Sequence, residues 1–88
     1  MSRGFMEVKA IFGERLRELR QKAGLQQSEL GEKVGLSSNG VGMMERGHRG
    51  TSFEKLVQIA RFFHVSTDYL LGVTDDPTWR GAPPEEES

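Results

Sequence analysis

Apolar residues recur along this chain at helical spacing, and no stretch alternates as a half-buried strand would. Between Val8 and Ala23 they fall at Val8, Ile11, Phe12, Leu16, Leu19 and Ala23, one stripe down a helix that Gly24 stops. Polar Gln26, Gln27 and Ser28 precede Leu30 and Val34, which lie one turn apart, so a second, short helix runs from about Gln27 to Val34 and ends at Gly35. Ser37 has a hydroxyl that can accept from a backbone N–H two or three residues on, and caps a third helix reaching about Arg46, with Gly47 beyond it. Ser52 caps a fourth helix with Phe53, Leu56, Val57, Ile59, Ala60 and Phe63 on or near its apolar side. His64 packs at that helix's end, and Ser66 or Thr67 caps a fifth helix carrying Tyr69, Leu70 and Leu71 before Gly72. The pattern predicts an all-α fold of five helices.

A chain of 88 residues without an internal repeat holds one compact domain with a modest core. We place that domain at 7–74, after a flexible stretch at 1–6. Beyond Asp76 no periodic apolar face remains, so 75–88 reads as an acidic, disordered C-terminal tail. Trp79 either folds back on the core or on a partner, or moves with the tail, and the tendency of termini to fray favours movement. The chain has no cysteine, which removes disulfides and thiolate chemistry and suits a reducing cytosol. Arg3, Glu7 and Lys9 break up the opening stretch and no later one spans a bilayer, so a cytoplasmic protein without membrane contact is expected.

The net charge of −1 conceals an uneven spread. Eleven Lys and Arg stand against eight Asp and Glu as far as Thr74, leaving the body at +3; Asp75, Asp76, Glu85, Glu86 and Glu87 against Arg80 leave the tail at −4. A body of +3 permits phosphate contacts without requiring them.

More informative is the three-residue turn, Gly35-Leu36-Ser37, that separates the second and third helices at the spacing of a helix-turn-helix. Leu25-Gln26-Gln27-Ser28-Glu29-Leu30-Gly31, then Gly35-Leu36-Ser37, then Val41, Glu45 and Gly47 resemble the Cro and phage-repressor helix-turn-helix family, over roughly Phe12 to Gly72. The resemblance implies a repressor-like DNA-binding domain whose third helix enters the major groove. It also implies a homodimer on a pseudo-palindromic operator of double-stranded DNA. The function implied is transcriptional regulation, as a repressor.

Helical geometry turns Val41 and Met44 inward with Leu36 and leaves Ser38, Asn39, Gly40 and Met43 on the outward face. Those four positions resemble the family's base-reading set, and Asn39 is the best chemical reader because its amide can bond adenine N6 and N7. Gln27 resembles the family residue whose amide, with the helix N-terminus, grips a phosphate. Ser37, Arg46, His48 and Arg49 are further phosphate candidates by charge and place. Arg20 and Glu45 match family positions that form a partly buried ion pair orienting the third helix.

Gly31, Gly40 and Gly42 stand where the family tends to carry alanine or small polar residues. Each costs about 1 kcal/mol against alanine in a helix interior. Gly31 would lie at the close crossing of the second and third helices; the other two have no such account beyond letting backbone approach DNA. From Ser38 to Met43 there is also no Arg, Lys or Gln, so the strongest guanine contact is missing from the helix itself.

The alternative function is a protein-binding helical adaptor or antitoxin-like module of the same fold, docking through Met43 and Met44. Tyr69, Leu70 and Leu71 offer spare apolar area for pairing. No paired carboxylates, metal-ligand spacing or phosphate loop occurs, so no catalysis, metal, cofactor or small-molecule ligand is expected.

Overall fold

The structure, a computed structural model, describes residues 6–79. The expected acidic run Glu85 to Glu87 lies outside the described residues, as does the flexible 1–6 stretch apart from Met6, where the first helix begins. Five helices follow one another: α1 Met6–Lys22, α2 Gln27–Val34, α3 Ser38–Glu45, α4 Phe53–Phe63 and α5 Thr67–Leu70. Among the described residues no helix is long and apolar enough to cross a membrane.

Local chemistry sets the boundaries. Ser37, Ser52 and Ser66 each cap the next helix, their Oγ atoms accepting from the backbone N–H of Gly40 at 2.9 Å, Lys55 at 3.1 Å and Tyr69 at 3.0 Å. Such a cap contributes about 1 kcal/mol. α2 begins differently, with the Glu29 carboxylate accepting from the Gln26 backbone N–H at 2.7 Å. It ends at Gly35, whose φ of 71° is a left-handed conformation that a side chain would strain. Lys55 reaches across from α4 and donates to the Val34 carbonyl at 2.5 Å, a cation at the negative end of α2.

Leu16, Leu30, Val34, Val41, Met44, Ile59 and Leu70 are fully buried and draw all five helices onto one core. α1 crosses α3 so closely that a Cβ at Gly13 would collide with the backbone carbonyls of Met44 and Glu45. Gly31 meets the same constraint from the Leu36 carbonyl, so its close approach is to the turn leading into α3.

Three expectations are corrected. Leu70 is fully buried, so it adds no spare apolar area beside Tyr69 and Leu71. Phe53 is 85% exposed and Val57 is exposed too, because α4 turns its Ile59 and Ala60 side to the core and nothing described covers the other.

The third correction concerns the first residues of the acidic tail, which are folded onto the body. The Ser66 backbone N–H donates to the Pro77 carbonyl at 3.2 Å, and Val65 bridges Thr78 in antiparallel fashion. Trp79 packs against the core and stacks on His64 with ring centroids 5.5 Å apart. His64 itself ends α4 in a left-handed conformation, φ 59°. Arg15 secures the other end of this strap. Its guanidinium donates to the Tyr69 and Thr74 carbonyls at 2.5 and 2.6 Å, pairs with Asp75 and lies 4.2 Å over the Tyr69 ring.

Two outcomes follow from this packing. Gly13→Ala, which helix propensity alone would make stabilising by about 1 kcal/mol, should instead destabilise by about 2 kcal/mol or more because backbone cannot yield as a side chain can. A thermal melt should show this as a fall of roughly 10 °C. Trp79 is the one tryptophan, so native fluorescence should be blue-shifted and should move red together with the loss of helical circular dichroism. Emission already at the solvent value in the native state would contradict the docked strap.

Candidate nucleic-acid interface

α2, the Gly35-Leu36-Ser37 turn and α3 form the helix pair expected from the spacing, and α3 is held by a part-buried ionic contact. Arg20 of α1 meets Glu45, the last residue of α3, in a two-pronged pair: Nε donates to Oε2 at 2.5 Å and Nη2 to Oε1 at 3.0 Å. The third prong, Nη1, donates to the Leu25 carbonyl at 2.9 Å. Only 13% of the Arg20 side chain and 3% of the Glu45 side chain meet solvent. Gln27, the first residue of α2, donates from Nε2 to Glu45 Oε1 at 3.1 Å. The Glu45 hydrogen bond, more than its charge, raises the Arg20 pKa above the ordinary arginine value, against the lowering effect of burial. Among the described residues no buried side-chain nitrogen or oxygen lacks a partner.

The surface of α3 carries most of the named candidates. Ser38 and Asn39 are exposed and Met43 is half-buried, with Asn39 Nδ2 and Met43 Sδ 3.9 Å apart. Gly40, expected on the outward face with them, is buried. The Ser37 hydroxyl lies 3.2 Å from where its Cβ would be, and the Arg49 guanidinium 3.8 Å. Met44, half of the expected protein-docking pair, is 1% exposed and belongs to the core.

Arg46, His48 and Arg49 are exposed beside α3. Ser37 is committed as the α3 cap, which leaves its O–H free to donate. Gln27 has given one of its two amide protons to Glu45. Gly42 acquires a reason that spacing did not supply: a Cβ there would press on the Gln27 amide at 3.3 Å and on the Arg46 guanidinium at 3.2 Å. Gly13 escaped notice, although an unexplained glycine one turn from Leu16 on the buried stripe is the signal of a close crossing.

Residues 16–70 match the family profile described as helix-turn-helix. The chain belongs to the helix-turn-helix family. Within it, the relatives are of the Cro and phage-repressor type. This helix-turn-helix chain is 43% identical over 60 residues to the HTH-type transcriptional regulator ImmR of Bacillus subtilis, covering 68% of this chain and 47% of that protein. It is 40% identical over 67 residues to the uncharacterised HTH-type transcriptional regulator YobD of the same organism, covering 76% of this chain and 60% of that one. The chain therefore spans about half the length of these curated relatives. Among solved structures, the c2 repressor of Salmonella phage P22 in complex with a synthetic operator superposes with a TM-score of 0.66 at 35% identity, over 68% of this chain and 91% of that one.

Removing one member of the ion pair leaves a buried charge unmatched. Glu45→Ala should cost roughly 3 to 5 kcal/mol in denaturant unfolding, whereas Arg20→Met combined with Glu45→Leu should recover most of that loss. Equal losses in the single and double variants would mean that the pair contributes packing and not charge matching.

Proposed function

We propose that this helix-turn-helix chain is a sequence-reading DNA-binding regulator of transcription, acting as a repressor. One observation carries the proposal: α3 presents Ser38 and Asn39 to solvent while its opposite side, Val41 and Met44, is buried and its end is fixed by Arg20 and Glu45. A helix that is exposed on one face and held rigidly on the other is what major-groove readout requires. The regulators named among its relatives, and the operator-bound P22 repressor, support the same reading. The protein-docking alternative is less favoured: Met44 is in the core and Met43 is half-buried.

In this proposal Asn39 bonds adenine, Ser38 bonds a base or a phosphate, and Met43 packs on a thymine methyl. Gly40, buried under the Ser37 hydroxyl and the Arg49 guanidinium, makes no contact of its own. Gln27, Ser37, Arg46, His48 and Arg49 face the backbone phosphates on either side, and Arg20 with Glu45 sets the angle of α3. Two copies read inverted half-sites, the protein works in the cytoplasm with its DNA, and no reaction or cofactor is assigned.

Selection from random duplex DNA should enrich an inverted, paired motif. Asn39→Ala should relax one A·T position per half-site by about 1 to 3 kcal/mol. Arg46→Ala should weaken all sites alike and lower the slope of log affinity against log salt by about 1. Enrichment of a single unpaired half-site would remove the dimer from the proposal; no enrichment at moderate salt would remove DNA reading itself.

A further inference from the structure

The outward face of α3 lacks the side chain that most often reads guanine, yet two arginines lie against its flanks. Successive residues of a helix are turned by about 100°, so Gly40 and Gly42 stand on opposite sides of the ridge formed by Asn39 and Met43. Each glycine has a guanidinium over it. Arg46 shares the Gly42 flank with the Gln27 amide, on the side of α2. Arg49 comes from the loop after α3 and reaches back to Gly40 in the first turn of the helix, the end that meets base edges in this docking geometry. Gly40 is buried although Ser38 and Asn39 beside it are exposed, so its cover is the Ser37 hydroxyl and the Arg49 guanidinium. A Cβ at Gly40 would already touch that guanidinium, and a longer side chain would displace it.

We propose that Arg49 reads a guanine edge, one per half-site, from a bed that Gly40 leaves open. This inference rests on the DNA-reading function proposed above and replaces the phosphate role for this residue. Among the described residues Arg49 makes no hydrogen bond or ion pair, so its five donors are available. Its planar fork fits guanine O6 and N7, and lysine lacks that fork.

The test is selection and sequencing of random duplex DNA bound by the intact protein, its Arg49→Ala variant and its Arg49→Lys variant, with unchanged melting temperatures confirming the fold. We expect Arg49→Ala to lose a guanine preference at one position per half-site, by roughly 5- to 150-fold, Arg49→Lys to weaken it, and both to keep the rest of the motif. Placing 7-deazaguanine at that position should weaken the unaltered protein and leave Arg49→Ala indifferent. An unchanged motif with evenly reduced affinity in Arg49→Ala, restored by Arg49→Lys, would show a phosphate contact and overturn this inference alone. Absence of any motif for the unaltered protein would overturn the DNA-reading function together with it.

Discussion

Glu45 places a carboxylate where only 3% of its side chain meets water, and much of the molecule is arranged around that charge. A buried charge is tolerable only when it is matched and its lone pairs are filled. The partners come from separate elements, Arg20 from α1 and Gln27 from the start of α2, so one carboxylate at the end of α3 ties three helices together. Burial of Val41 and Met44 draws α3 inward, but apolar attraction has no direction. The two-pronged fork does, and it holds the end of α3 against α1 at a fixed point. On that helix Asn39 faces out while Val41 and Met44 face in.

That contact needs the helices close together, and glycine makes this possible. Gly13 lets α1 lie against the last turn of α3, and Gly31 lets α2 lie against the turn that leads into it. Each sacrifices about 1 kcal/mol of helix propensity. A methyl group at Gly13 would press on the Met44 and Glu45 carbonyls, and one at Gly31 on the Leu36 carbonyl. The glycines of α3 follow the same logic on the outer side, where they admit side chains in place of backbone. Gly42, itself buried, receives the Gln27 amide that completes the Glu45 network.

What could be read from the sequence was what is decided locally. The serine caps and the glycine at the α2 terminus depend on residues within four positions of each other, and they appear where spacing puts them. The face of α3 was legible for the same reason, except at Gly40, which the Ser37 hydroxyl covers together with Arg49 from the next loop. Periodicity names the apolar side of a helix but not what will cover it. Leu70 and Phe53 show both errors, since one is sealed by the core and the other is left open. The strap from Asp75 to Trp79 was illegible because Arg15, which clamps its start, lies 60 residues away in the chain. The Arg20 and Glu45 pair, 25 residues apart, came from resemblance and not from spacing.

The buried pair also bears on the field that DNA would meet. A chain with a net charge of −1 offers no overall attraction to a polyanion. Yet from Ser38 to Gly50 the one acidic residue is Glu45, and its charge is matched by Arg20 beneath the surface. Arg46 and Arg49 are exposed on that same stretch, with His48 between them. Fields act locally within about 8 to 10 Å at ordinary salt, so the charges on this stretch count for more at α3 than the chain's net charge does. Pairing Glu45 with Arg20 therefore fixes the end of α3 and also matches the one acidic charge on that stretch.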